Sequence, residues 1–477
     1  MKNFPLNFKF GWSQSAFQSE MGRWLNLDDR SDWFKWTHDE ENIKSGIVSG
    51  EFPEDGPGYL ENFSRFHDMA SYLGLNVARL SIEWSRLFPV KPKIEPEHEG
   101  DGDDVTGVFI DKQDLAALDK YVNRNELIRY REIFKDLKRR NILLILNMYH
   151  WSLPLWLHDP VEIKKSGIDG QPAGWLSTGI IPQFALYCAY VAQNFDDVVY
   201  EYSTMNEPNV IYSGFPPGYF GKEAGKKAEL NLIQAHARAY DSIKSVSDKT
   251  VGIIASTPSY IPESEIDESA ANLARDSLRW PFFDAITNGK TPLGFRQDLA
   301  RKLDWIGVNY YNRSVIHQTQ DGFGESKGYG RNCERNSRSR GGMLTSDFGW
   351  EIYPQGVSEV LESFWQRYKL PLWVTENGVA DQADYLRSYF LVSSLAHVLK
   401  SIDTGVDVRG YLHWTLVDNY EWAHGFSKKF GLIHADRGSG KLYYRQSSLV
   451  LKEIINRREI PQEFENLCDP PALDFIK

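Results

Sequence analysis

Three cysteines in 477 residues, Cys188, Cys333 and Cys468, are too few for a disulfide framework, and being odd in number, far apart and never spaced as CxxC they suggest no zinc site. Such cysteine usage predicts a reducing, cytoplasmic setting. Long apolar runs are missing too: Phe184 to Ala192 falls far short of the roughly 20 residues a membrane span needs. The stretch Met1 to Phe17, with Lys2, Pro5 and Lys9, lacks the apolar centre of a signal peptide, so the chain is expected to be unsecreted. Positive charge is in deficit, with 54 basic against 65 acidic residues and a net charge of -11. That balance argues against nucleic-acid and anionic-membrane partners and favours a neutral or cationic ligand. HExxH, P-loop and GxGxxG motifs are absent, and no cofactor or metal is implied.

Aromatic residues, by contrast, are plentiful: 15 Trp, 24 Tyr and 26 Phe make 14% of the chain. Their flat faces suit the C–H edges of pyranose rings, although buried aromatics also serve as ordinary core. A chain of this length can bury roughly three quarters of its unfolded surface, so neither disulfides nor a structural metal is needed for folding.

Short β-branched runs alternate with long helical patterns, the signature of a parallel sheet built from β and α units. Eight strands are predicted: Phe8 to Ser15, Val77 to Trp84, Leu143 to His150, Val198 to Asn206, Val251 to Ser256, Trp305 to Tyr311, Leu372 to Glu376 and Val408 to Trp414. Apolar residues recur every three or four positions in Leu60 to Leu73, Leu127 to Leu137, Gln183 to Ala192, Leu230 to Val246 and Tyr385 to Ile402, which read as helices. Eight strands with intervening helices predict a closed (β/α)8 TIM barrel. No repeat, Pro-rich linker or composition break divides the chain, so residues 1–477 are read as one domain with long loops.

Two loops stand out. Glu95 to Asp104 is acidic with Gly100 in its sixth position, but Thr106 stands where a calcium loop needs a bidentate glutamate, so a solvated loop is expected. Gly322 to Gly342, rich in Gly, Arg and Ser, also reads as a loop, walling the pocket mouth.

In a (β/α)8 barrel the active site gathers at the C-terminal strand ends. The fourth predicted strand runs into Thr204, Met205, Asn206, Glu207 and Pro208, and the seventh into Thr375, Glu376, Asn377 and Gly378. Two glutamates would thus face each other across one mouth, as glycoside hydrolysis requires: one acid to protonate the departing oxygen, one carboxylate to attack or to activate water. A glutamate before proline or asparagine can also simply cap a helix or hold an arginine. Both together at the ends of strands four and seven favour the catalytic reading.

The sequence resembles glycoside hydrolase family 1, especially its archaeal β-glycosidases acting on β-glucosides and β-galactosides. Phe8, Phe10, Gly11, Ser13, Ser15, Ala16, Phe17, Gln18, Glu20 and Gly22 match the N-terminal signature, and His150 with Trp151, Asn206 with Glu207, Asn309 to Tyr311, Glu376, Trp414, Glu421 and Trp422 match later blocks in order. The resemblance implies a retaining mechanism with Glu207 as general acid/base and Glu376 as nucleophile. The charge of Glu376 would hold the Glu207 proton until Glu376 is esterified, after which Glu207 could act as base. It further implies that Arg79 keeps Glu376 ionised, that Tyr311 hydrogen-bonds it, that Asn206 donates to the sugar 2-OH, and that Asn309 supports the catalytic pair.

Gln18, His150, Trp151, Glu421 and Trp422 would bind the sugar, with Trp414 as stacking floor and Phe430 closing the wall near C6. The likeness also suggests β-glycosides and oligosaccharides as partners, heat tolerance and a homotetramer. Two other readings stand beside this one. A 6-phospho-β-glycosidase would need phosphate donors, for which Lys428 and Lys429 are candidates, but a lysine pair in a polar loop is expected to be solvated and an ionised Glu421 would repel phosphate. A sugar-binding barrel without turnover would ordinarily have lost one of the two carboxylates.

Overall fold

The computed structural model describes residues 3–214, 217 and 222–471. Eight parallel strands close into a barrel in chain order: β1 (Lys9–Gln14), β2 (Val77–Ser81), β3 (Leu143–Tyr149), β4 (Glu201–Asn206), β5 (Val251–Ser256), β6 (Trp305–Asn309), β7 (Leu372–Asn377) and β8 (Val408–Trp414), with β8 pairing back onto β1. Around them stand α1 (Tyr59–Tyr72), α2 (Arg124–Arg139), α3 (Ile180–Phe195), α4 (Lys222–Lys244), α5 (Pro281–Asn288), α6 (Gly356–Tyr368), α7 (Arg387–Asp403) and α8 (Gln446–Arg457). This is the (β/α)8 architecture.

Helices cover the strands outside and side chains fill the barrel inside, leaving almost no strand residue exposed, so apolar residues fill much of each strand. Inside the barrel, Val77, Ile145, Ile254, Trp305, Trp373 and Leu412 pack into one apolar layer. Two glycines make room for its indoles: a Cβ on Gly252 would fall 2.3 Å from the Trp305 ring, and one on Gly410 2.5 Å from that of Trp373. The polar residues of the site stand on this floor.

Helix α2 shows how the outer layer forms. Asn123 caps it by accepting from the backbone N–H groups of Asn125 and Glu126, and Leu127, Tyr130, Ile133, Phe134 and Leu137 bury one face, each contributing about 1.5–3 kcal/mol. The apolar run Phe184 to Ala192 lies in α3, which is buried on nearly every side. Among the described residues no helix is long and apolar enough to cross a membrane.

Some elements depart from expectation. The second strand ends at Ser81, because Trp84–Leu87 turns into a short helix. The acidic stretch is no plain loop: Glu97–Glu99 pairs antiparallel with Gly107–Phe109, a pairing of two segments too short to show a period. Gly322–Glu325 likewise pairs with Arg313–Thr319, and only the residues beyond it run as loop.

Candidate active site

The strand ends surround an open cavity whose empty space, its solvent-filled mouth included, is about 790 Å³. His150, Trp151, Asn206, Glu207, Tyr311, Glu376, Trp414, Glu421, Trp422 and Phe430, all singled out from sequence, line it. Gln18, Arg79 and Asn309 lie one layer deeper and are fully buried.

Local backbone irregularity aims these side chains. The ladders of β4 with β5 and of β6 and β8 with β7 shift register near Asn206, Asn309 and Glu376, so the carboxyl-bearing ends leave the regular pleat. Glu207 adopts φ 48°, in the left-handed region, and Trp151 (φ 74°) and Trp422 (φ 50°) do the same. Each such residue costs of order 1–2 kcal/mol. Surrounding bonds hold the Glu207 backbone there: its N–H donates to the Ile254 carbonyl at 2.8 Å, and its own carbonyl accepts from Val210 N–H at 3.0 Å.

Arg79 orders the site from below. Its Nη1 donates to Glu376 Oε1 at 2.5 Å and its Nη2 to Asn206 Oδ1 at 2.6 Å. Because guanidinium only donates, the Asn206 amide oxygen must face it. Asn309 Nδ2 then donates to that same oxygen at 3.1 Å and to Glu207 Oε1 at 2.8 Å, while Thr375 Oγ1 donates to Asn309 Oδ1 at 2.8 Å. With Oε1 of Glu207 accepting from an amide, its proton belongs on Oε2. Glu376 receives a second donor, the Tyr311 hydroxyl, on Oε2 at 2.6 Å.

These partners separate the two carboxyls. Burial pushes Glu207 up to about 7, with the charge of Glu376 adding to it, so burial outweighs the like-charge effect anticipated from sequence. Burial also raises Glu376, but Arg79 and Tyr311 pull it back. Among the described residues the Glu207 carboxyl is hydrogen-bonded by a neutral amide alone, whereas Glu376 touches a permanent cation, so Glu376 is the member that ionises first.

His150 is buried beside Arg79, and both effects hold its imidazole neutral. Its Nδ1 faces Arg79 Nη2 at 3.3 Å and must accept there, which leaves the proton on Nε2. That Nε2–H sits 3.1 Å from the Asn206 amide nitrogen, donor beside donor, an arrangement suited to one hydroxyl oxygen.

The remaining sugar-binding candidates also converge. Gln18 donates to the Tyr420 carbonyl at 2.8 Å and to Glu421 Oε2 at 3.2 Å. Trp422 stacks on Phe17 with centroids 5.7 Å apart and packs against Trp33 at 4.6 Å and Trp151 at 4.9 Å. Phe430 lies 6.1 Å from the Tyr311 ring.

Two expectations need correcting. Burial, then the nearby Glu376, pushes Glu421 up to about 8, so at neutral pH it is mainly protonated rather than ionised. The charge a phosphate would meet in this pocket is therefore that of Glu376, which adds to the effect of burial on Glu421. Lys428 is buried rather than solvated: its ammonium donates to the Asp347 carbonyl at 2.8 Å and stands 5.1 Å from the Phe348 ring centroid, a tertiary contact with no local signal. Lys429 is half-buried against Phe426.

Sequence reasoning missed Val210, Ser256, Arg331, Phe348, Trp350, Ala423 and His424 as cavity residues. Phe348 and Trp350 stack at 4.3 Å on the loop before α6, outside any strand end. Their density of aromatics was the one available signal. Among the described residues no group of three His, Cys, Asp or Glu is placed to hold a metal ion.

A barrel whose mouth holds two buried carboxyls, one on an arginine and one on an amide, belongs to the glycoside-hydrolysing class. Comparison with known proteins places the chain within it: residues 119–460 match the profile described as Glycosyl hydrolase family 1. The whole chain is 52% identical to the whole of a β-galactosidase from Saccharolobus solfataricus. Over 98% of this chain and 100% of the other, it superimposes on the β-glycosidase of the hyperthermophile Thermosphaera aggregans with TM-score 0.96 and 42% identity. A β-glucosidase mutant derived from a hyperthermophilic tetrameric structure aligns over 100% of both chains at TM-score 0.92 and 43% identity. The chain belongs to glycosyl hydrolase family 1 and is a glycoside hydrolase.

Proposed function

We propose that this enzyme is a retaining, exo-acting β-glycosidase that removes a terminal glucose or galactose from β-glycosides, with Glu376 as nucleophile and Glu207 as acid/base. One observation carries the assignment: the two carboxyls stand in one cavity with unequal partners, Arg79 and Tyr311 on Glu376 and Asn309 alone on Glu207. In the first step the ionised Glu376 attacks the anomeric carbon while Glu207 Oε2–H protonates the leaving oxygen. Esterification removes the Glu376 charge, Glu207 ionises more readily, and it deprotonates the water that releases the sugar. Asn206 Nδ2–H and His150 Nε2–H meet sugar hydroxyls, and Trp414 offers a stacking surface.

A panel of 4-nitrophenyl β-glucoside, β-galactoside and their 6-phosphates, with the released anomer followed by NMR, tests the proposal. We expect neutral substrates to be cleaved to the β-anomer and the phosphates to be poor; an α-product or preferred phosphates would refute it. The same turnover excludes a barrel that only binds sugar. We further propose a cytoplasmic homotetramer, supported by the three free cysteines and by the tetrameric origin of one relative, and tested by light scattering of the purified protein.

The raised Glu207 carboxyl makes a stability prediction. Unfolded, it titrates near 4.5; folded, near 7, so its stabilising contribution is complete below pH 4.5 and is lost as pH rises through 7. Glutamine has no proton to lose. Glu207→Gln should therefore gain about 2–3 kcal/mol on wild type between pH 5 and pH 9. Guanidinium denaturation at both pH values measures this, and an unchanged difference would show that the carboxyl is not raised.

A further inference from the structure

The loop between β6 and α6 carries a permanent cation into the cavity. Arg331 is exposed, its guanidinium lies 4.9 Å from the Trp350 ring centroid, and its Nη2 donates to Ser256 Oγ at 3.4 Å. No carboxylate among the described residues forms an ion pair with it. Of the described residues lining the cavity it alone bears a permanent positive charge, in the company of three carboxyls.

Its seat is rigid. Gly330 N–H donates to Glu351 Oε2 at 2.8 Å, Glu351 N–H donates to the Gly330 carbonyl at 2.7 Å, and Arg313 clamps the same buried carboxylate through two bonds of 2.8 and 2.9 Å. Gly330 itself has φ +59°, and a Cβ there would lie 2.6 Å from the Arg313 carbonyl oxygen, so only glycine fits. The backbone is thereby locked while the guanidinium has no ion-pair partner among the described residues. Val210, Ser256 and Arg331 belong to this cavity and also to an adjoining cleft. Arg331 therefore stands where the catalytic cavity opens outward, on the wall it shares with Glu207. Its charge also lowers Glu207, against the burial that raises it.

We propose that Arg331, held over the Trp350 ring, selects β-glycosides whose leaving group carries a carboxylate that pairs with the guanidinium. The proposal rests on Glu207 being the acid/base, because that assignment puts the leaving group on this wall. A guanidinium fork matches a carboxylate in two parallel hydrogen bonds, and the contact with Trp350 holds that fork in place. In a chain of net charge -11 a local cation is also what lets an anion approach. The reaction is unchanged: the bond from C1 to the leaving oxygen breaks, Glu207 gives that oxygen its proton, water supplies the hydroxyl at C1 and returns a proton to Glu207, and the aglycone carboxylate stays ionised.

The test compares kcat/KM for 4-carboxyphenyl and phenyl β-D-glucoside in the full-length wild type, Arg331→Gln and Arg331→Lys. The acid-to-neutral ratio should fall about tenfold in Arg331→Gln, fall less in Arg331→Lys, and fall in wild type between 50 and 500 mM NaCl, as loss or screening of a charge-assisted bond requires. A cationic 4-(aminomethyl)phenyl glucoside should shift the opposite way. An unchanged ratio in Arg331→Gln, or an equal loss on all three substrates, overturns this inference while the catalytic assignment stands. Failure of wild type to cleave even the phenyl glucoside overturns both.

Discussion

Replacing Glu376 with alanine will lower turnover of every glycoside by about 10⁵-fold or more, because no other group can form the glycosyl ester. Arg79 and Tyr311 both bond this carboxylate and would lose it as an acceptor. The guanidinium would then be a buried cation facing only neutral acceptors, the Asn206 amide oxygen and His150 Nδ1, and removing one partner of a buried pair costs about 3–5 kcal/mol. The variant should therefore fold but melt earlier than wild type. Azide, small and anionic, can occupy the space beside Arg79 and attack in place of the carboxylate, giving an α-glycosyl azide. In the wild type a mechanism-based fluorosugar should label Glu376. Label on another carboxylate, or a β-azide product, would remove Glu376 from the nucleophile's role.

Glu207→Gln should behave in the opposite sense on stability and selectively on activity. For disaccharides, whose leaving alkoxide must be protonated, we expect kcat/KM to fall about 10³–10⁴-fold. For 2,4-dinitrophenyl glucoside, whose phenolate departs unaided, the first step should survive within about tenfold, and the glycosyl-enzyme should accumulate because water has lost its base. The pH profile gives a second reading. Catalysis needs Glu207 protonated, and burial sets it at about 7, so wild-type kcat/KM for a disaccharide should decline tenfold per unit above that pH. With the dinitrophenyl substrate the variant should show no such limb near 7. Equal losses on both substrates, or a limb that persists in the variant, would count against Glu207 as the acid. Together the two variants separate the pair: removal of Glu376 leaves a cation unpaired, whereas removal of Glu207 relieves a carboxyl held near 7 by burial.

Much of this was legible in the chain before folding was considered. The eight strands fell close to their predicted places because a barrel strand buried on both faces is a short run with few charges between helical patterns, and that alternation survives in one dimension. Glu207 and Glu376 were legible because each follows such a run directly, which puts it at the barrel mouth whatever the loops do. Boundaries were less secure where the run outlasts the strand, as at Trp84, whose apolar character serves a helix as well as it would a strand.

The chain by itself therefore determined the barrel and the residues at its strand ends, since periodicity and strand-end position are local properties. Only the tertiary structure decided how those residues are charged and oriented. Arg79, by facing Asn206, turns that amide and through it Asn309, and so places the Glu207 proton on Oε2; this order runs between β2, β4 and β6, far apart in sequence. Lys428 reads as a solvated lysine until the Asp347 carbonyl and the Phe348 ring close over it. Glu421 reads as an ordinary carboxylate until burial beside Glu376 and Glu207 raises it to about 8. Arg331 was legible only as one of several arginines in the loop expected to wall the pocket mouth, because its own position depends on a lock between Gly330, Arg313 and Glu351 that forms only when separate loop segments meet. Ionisation, orientation and loop contact are collective quantities, set by the low-dielectric surroundings and by partners distant in the chain, and no local pattern encodes them.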